Sequence, residues 1–235
     1  MIPGWEGDIP PPQARDVEEV RQVLAIPECP CSGPLYFMYR DLARTREDRA
    51  WLVTHQLRYD VTEIPPLTLC GEYVKTKGHY HPVAPSGVSY PEVYEVLAGE
   101  AHYLLQDRRA EDVVLIYAKK GEKVIIPPGY GHVTINASSG KLLMANLVSI
   151  AFSSDYGPYE AHHGAVYYMM LGEQMVKNTH YSSIPPLRTR QSSHSTALGI
   201  VEGIPLYDLV DGHKDLSFLN HPERFTRVFR ELKVD

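Results

Sequence analysis

The stretch EVYEVLAGEAHYLLQ, Glu92–Gln106, sets Val, Tyr and Leu on either side of the break Ala98-Gly99-Glu100. β-Branched and aromatic residues interrupted by a glycine turn predict two short strands meeting in a hairpin. The pattern continues outward in both directions. Downstream, VVLIYA, EKVII, HVTIN and KLLMANLVSIAF are separated by Lys119-Lys120-Gly121, Pro127-Pro128-Gly129 and Ser138-Ser139-Gly140. Upstream, LYFMY, WLVTHQLRYDVTEI and LTLCGEYV predict strands, with a charged loop at residues 44–49. GAVYYMML predicts one more strand before a Pro, Ser and Thr-rich surface connection over residues 184–197. Short strands with frequent turn signals predict a mainly all-β sandwich or barrel.

Helices are expected only at the flanks. In RDVEEVRQVLA, Val17, Val20 and Leu24 fall at helical spacing, Asp16 stands at the N-cap, and Pro27 and Pro30 end the run. In NHPERFTRVFRELK, Phe225, Val228, Phe229 and Leu232 form one apolar stripe, with Pro222 in the first turn and Asn220 as the cap. The expected division is an N-terminal arm and helix over 1–33, a barrel over 34–182, and a C-terminal extension with its helix packed on the barrel over 183–235. The first dozen residues, rich in proline, are expected to form a surface arm.

Composition narrows the function classes. A net charge of -6 with a pI near 6.0 gives no cationic footprint for nucleic acid. No run approaches the roughly 20 apolar residues of a membrane helix, and the start MIPGWEGDIPPPQ carries neither basic nor apolar signal regions. A cytoplasmic protein acting on small molecules is therefore expected. Cys29, Cys31 and Cys70 make an odd set without zinc-ribbon spacing and are expected as thiols.

The candidate chemistry lies in GHYHPVAPSGVSYPEVYEVLAGE, Gly78–Glu100. His79 and His81 stand two apart, so on a strand both imidazoles project from one face. Glu92 opens the next strand, and His132 follows a proline-glycine turn forty residues later. Three imidazoles and a carboxylate suit Fe(II), Mn(II), Zn(II) or Ni(II), with coordination positions left for water or substrate.

The joint spacing carries more weight than any single histidine. Gly121, five residues, Pro127, one, Gly129, two, His132, three, Asn136, together with His79-X-His81 and Glu92, six residues, Gly99, resembles the paired motifs of the cupin superfamily. TKGHYH, PEVYEVLAGEAHYLLQ, VIIPPGYGHVTIN and DYGPY further resemble the archaeal, cupin-type glucose-6-phosphate isomerases, over roughly Pro34 to Met170. The resemblance implies a double-stranded β-helix (jelly-roll) barrel and a divalent metal, Fe(II) first, on His79, His81, Glu92 and His132. It implies substrate contacts from Tyr36, Thr62, Thr76, Lys77, Gly78 and Tyr156, with Glu92 and Tyr94 catalytic. It also implies interconversion of glucose 6-phosphate and fructose 6-phosphate through a cis-enediolate, and a homodimer. Two positions depart from the family pattern: Val148 stands for a tyrosine on the last barrel strand, and Ser154 for a histidine before the DYG triplet. His162, His163, Arg188 and Arg190 offer stand-in donors, but each is expected as solvated surface.

Strand alternation places Tyr94 on Glu92's face and Glu95 on the opposite one. The alternatives are another phosphosugar isomerase, acting for example on mannose 6-phosphate, an Fe(II) cupin dioxygenase, or a sugar-binding cupin without turnover.

Overall fold

Gly99 turns the chain at the predicted place. Its φ is +80°, and a Cβ there would stand 2.7 Å from the Lys141 carbonyl oxygen, so glycine alone fits. The structure, a computed structural model, describes residues 2, 5, 9–192 and 194–234; half of the surface arm expected for the first dozen residues lies outside them, and of the rest Ile2 is buried while Trp5 and Ile9 pack against a hydrophobic core.

Among the described residues the strands are β1 (Gln13–Asp16), β2 (Pro34–Tyr39), β3 (Leu57–Ile64), β4 (Thr68–Leu69), β5 (Glu72–Tyr73), β6 (Glu92–Ala98) and β7 (Glu100–Asp107). They continue as β8 (Val113–Lys119), β9 (Lys123–Ile126), β10 (Tyr130–Ile135), β11 (Leu142–Ser149), β12 (Tyr167–Met170), β13 (Gln174–Lys177) and β14 (Leu187–Gln191). The α-helices are α1 (Val17–Val20), α2 (Arg46–Thr54), α3 (Gly157–Ala161), α4 (Asp208–Asp211) and α5 (Thr226–Val234).

A six-stranded sheet has the order β1-β2-β3-β11-β6-β9, a second sheet the order β10-β7-β8-β14, and a smaller third the order β13-β12-β5-β4. The segment after β5 runs antiparallel to β10, with bridges Lys75 to Ile135 and His79 to His132. Consecutive strands β6 and β7 therefore lie in different sheets, and the predicted hairpin at Gly99 is instead a corner. Turn chemistry is the same in both cases; only the non-local pairing of β6 with β9 and β11, and of β7 with β8 and β10, separates them. Two mainly antiparallel sheets joined by such corners make the double-stranded β-helix barrel.

Strand β11 is buried along its whole length. Its even residues, Met144, Asn146 and Val148, face the barrel interior, where they line a cavity. Its odd residues, Leu143, Ala145 and Leu147, join an outer core with Tyr59, Val61, Leu206, Tyr207, Phe218 and Phe229. The C-terminal segment thus covers the back of the six-stranded sheet. Its apolar stripe is as predicted, with Phe229 buried and Phe225, Val228 and Leu232 packed against that core.

Four local expectations are corrected. The charged loop at residues 44–49 is instead the start of α2. Thr45 Oγ1 accepts from the Asp48 amide at 3.0 Å and the Asp48 carboxylate accepts from the Thr45 amide at 3.2 Å, a capping box that offsets the charge-rich sequence. The connection over residues 184–197 contains β14, parallel to β8, anchored by the Arg188 pair with Asp112 at 2.6 Å. Asn220 caps no helix: its side chain donates to the His55 carbonyl at 2.7 Å and accepts from Ser149 Oγ at 2.5 Å. Finally, Cys29 and Cys70 form a disulfide and only Cys31 is free; the fold brings together two cysteines 41 residues apart, which spacing alone does not reveal. The N-terminal helix is also shorter than predicted, passing from α1 into a single 3-10 turn at Arg21–Val23.

Candidate metal centre and substrate cavity

The register of the six-stranded sheet puts one row of side chains into the barrel. Arg15 stands opposite Tyr36 and Met38 opposite Thr62; Thr62 stands opposite Met144, Tyr94 opposite Asn146, and Glu92 opposite Val148. All of them line one cavity of about 480 Å³, whose other wall carries Thr76, Lys77, Gly78, His79, His81 and His132. Gly78 is required here: at φ +80° a Cβ would lie 2.7 Å from Val133 Cγ2 and 2.9 Å from the Tyr159 ring.

His79 and His132 meet as a bridged pair across two antiparallel segments. His81 Nδ1 lies 2.9 Å from the Tyr90 carbonyl; donation there fixes the tautomer and leaves Nε2 with its lone pair directed at the cluster. His81 Nε2 is 3.2 Å from His79 Nε2 and 3.3 Å from Glu92 Oε2, and His132 Nε2 is 3.4 Å from the same carboxylate oxygen. The ligand atoms of His79, His81, Glu92 and His132 all lie within 4.8 Å of one another.

This set fits a divalent cation on two counts. Ligands about 2.1 Å from one ion sit about 3 to 4 Å from each other, and three pairs of the convergent atoms lie 3.2, 3.3 and 3.4 Å apart. In addition, Glu92 Oε2 is buried without a hydrogen-bond partner, a costly state for a carboxylate oxygen that a cation relieves. Its other oxygen, Oε1, accepts from Asn146 Nδ2 at 2.7 Å.

The site's electrostatics favour neutral imidazoles at His79 and His132 and an ionised carboxylate at Glu92. Burial, reinforced by the neighbouring His132 and His81, pushes the His79 pKa well below the usual histidine value. Burial takes His132 down to about 4, against the opposing pull of Glu92. For Glu92 burial acts upward, but the neighbouring His81 and His132 hold the carboxyl below its ordinary range. Burial and the Glu92 charge push the Tyr94 phenol well above its ordinary value, so it stays protonated, with its hydroxyl 3.0 Å from His132 Nε2.

Away from the histidines, the Tyr36 hydroxyl accepts from the Lys77 amide at 3.2 Å, and Thr76 Oγ1 accepts from the Thr134 amide at 2.9 Å. Lys77 Nζ pairs with Glu160 at 2.6 Å and lies 5.1 Å from the Tyr156 ring centroid. Every residue that the sequence singled out for metal, catalysis or substrate lines this cavity, as do Val148 and Ser154. Glu95 is on the opposite face, accepting from the Leu206 amide at 2.5 Å. His162, His163, Arg188 and Arg190, expected outside the site, do not line this cavity; His162 stacks on Tyr181, and Arg190 donates to the Leu232 carbonyl.

Sequence reasoning missed Gln13, Arg15, Arg40, Arg58, Asn146 and Phe152, all in the cavity wall. For Asn146 a signal existed, a lone amide within the apolar run LLMANLVS. The arginines carry none, because their strands' inward faces become known only with the register.

A family model described as Glucose-6-phosphate isomerase (GPI) matches residues 26–185. A curated relative, the glucose-6-phosphate isomerase of Thermococcus litoralis, is 33% identical over 101 residues, covering 43% of this chain and 50% of the relative. The match thus spans about half the length of that relative. Solved structures with similarity include the oxalate decarboxylase formate complex of Lactobacillus farciminis, 16% identical with a TM-score of 0.39, covering 52% of this chain and 30% of the other. The cupin domain of Schizosaccharomyces pombe Cnp3 is 11% identical with a TM-score of 0.32, covering 48% of this chain and 62% of the other.

Proposed function

Since this chain belongs to the glucose-6-phosphate isomerase family, we propose that it interconverts glucose 6-phosphate and fructose 6-phosphate with a divalent metal held by His79, His81, Glu92 and His132. The observation that supports this most directly is the convergence of those four ligand atoms at the wall of a cavity also lined by Tyr94, Thr76 and Lys77. Fe(II) is the proposed ion, with Mn(II), Ni(II) and Zn(II) compatible with the same donors. When bound, the cation supplies positive charge that polarises the substrate's C1 and C2 oxygens.

The chain's own residues account for the proton movements. Glu92, ionised at neutral pH, removes the C2 proton of the open-chain aldose, leaving a cis-enediolate; return of that proton to C1 completes the ketose. Tyr94, a protonated phenol on the same face, hands a proton to O1 and recovers one from the O2 hydroxyl. Glu92 and Tyr94 are both buried, which excludes bulk water from the intermediate. Thr62, Thr76, Lys77, the backbone at Gly78, Tyr36 and Tyr156 are proposed to hold the sugar and its phosphate. A homodimer is part of the same proposal. So is a cytoplasmic location, consistent with the lack, among the described residues, of a helix long and apolar enough to cross a membrane.

The test is fructose 6-phosphate turnover by chelator-stripped protein, before and after adding Fe(II), Mn(II), Ni(II) or Zn(II), with glucose 6-phosphate detected by a coupled dehydrogenase. Metal-restored activity is expected. Silence with every metal demonstrably bound refutes the isomerase assignment while leaving the metal centre intact.

A further inference from the structure

We propose that Arg15, carried by a strand that precedes the family-matched segment, is the anion anchor of this cavity and recognises the substrate's phosphate. The proposal rests on the isomerase assignment and adds to it a residue outside residues 26–185.

Strand β1 pairs antiparallel with β2, and the register sets Arg15 directly opposite Tyr36. Opposed residues project to the same face of a sheet, so Arg15 follows Tyr36 into the cavity, and both line it. The Tyr36 hydroxyl in turn accepts from the Lys77 amide, two residues ahead of the metal ligand His79. Arg15 therefore stands across from a tyrosine that is tied to the backbone two residues before His79. Its charge is also felt at Tyr36, Tyr156 and His79.

Four cationic side chains line the cavity: Arg15, Arg40, Arg58 and Lys77. Two are committed to one buried carboxylate, and a third, Lys77, shares its charge with an acidic side chain of α3. Arg40 Nη1 and Arg58 Nε both bind Asp60 Oδ2, at 2.6 and 2.7 Å, and the Asp60 side chain is 0% exposed; Lys77 Nζ pairs with Glu160. Arg15 gives Nη1 to Glu19, whose side chain is 46% exposed, while its Nε is buried with no hydrogen-bond partner. A buried guanidinium N–H without a partner is costly, and a phosphate oxygen satisfies it. The guanidinium fork suits phosphate geometry, and Glu19, at the exposed side, holds the fork in place.

The test titrates metal-loaded protein with glucitol 6-phosphate, a sugar phosphate that cannot isomerise, and with glucitol. In wild type the phosphorylated probe binds more tightly. R15Q is expected to weaken glucitol 6-phosphate by about 10- to 100-fold, the worth of one charge-assisted hydrogen bond, and R15K by less, since it keeps the charge and loses the fork. KM for fructose 6-phosphate should rise in parallel while kcat changes little, and the metal content per chain should stay at the wild-type value, which certifies a folded site. Wild-type affinity for glucitol 6-phosphate in both variants overturns the assignment of Arg15 and leaves the isomerase standing. Failure of the wild type to bind the phosphorylated probe overturns the isomerase assignment, and this proposal with it.

Discussion

Replacing Asn146 by leucine removes the amide that donates to Glu92 Oε1. Asn146 Nδ2 donates to Glu92 Oε1 at 2.7 Å, and both residues are 3% exposed, so water does not substitute for the lost amide. Leucine keeps the volume and removes the donor. A hydrogen bond to a charged group contributes about 1.5–3 kcal/mol, or about a 10- to 150-fold change. Removing a partner that orients a metal ligand costs about 10- to 100-fold in metal affinity or activity, so two independent scales agree. Losing a donor to the charged form also raises the Glu92 pKa. The acid limb of the turnover profile, where the base becomes protonated, should shift to higher pH. Chelator competition for bound metal, and turnover against pH at saturating metal, measure the two effects. If N146L melts like wild type, with metal affinity and turnover each within twofold and an unmoved acid limb, then the orienting role assigned to Asn146 is wrong.

Two further outcomes follow from the fold. His79 and His132 titrate below their unfolded value, His132 near 4, so below about pH 6.5 the unfolded chain binds protons that the folded chain does not. Their contribution to the stability of metal-free protein is complete above that pH and is lost as pH falls toward the folded values; urea midpoints measured from pH 7 to 5 should decline, and less so in H79Q/H132Q. Reducing the Cys29–Cys70 disulfide opens a loop of 41 residues, a loss of about 4 kcal/mol on the chain-entropy scale. For a chain of this size that lowers Tm by about 8–16 °C; a melting curve unchanged by reductant in the C31S background counts against the bridge.

Strand content and the clustering of His79, His81, Glu92 and His132 were legible for one physical reason: each is fixed by local chemistry. His79 and His81 share a face because a strand has a period of two, and the turn before His132 needs its proline and glycine wherever the chain goes next. The same locality explains the errors. Gly99 demands a turn but is silent on whether β7 returns beside β6 or crosses to the other sheet, and that choice is made by β11, which inserts between β3 and β6. The charged run before α2 looked like a loop because the capping box of Thr45 and Asp48 outweighs composition only once Leu52 has a core to enter.

Asn146 and Arg15 mark the two limits of such inference. An amide inside LLMANLVS sits on a strand buried on both faces, and burying a polar group without a partner is unfavourable, so the sequence alone required Asn146 to meet something polar; it could not say that the partner was Glu92. Arg15 carried no comparable demand, because an arginine ahead of a short helix is ordinarily solvated. Its significance arises from the antiparallel register of β1 on β2, a pairing between segments some twenty residues apart that turns a surface-type residue toward the barrel interior. A residue of that kind can alter which anion the cavity accepts without touching the metal ligands, and so the family-matched segment fixes the proposed chemistry more firmly than it fixes the substrate.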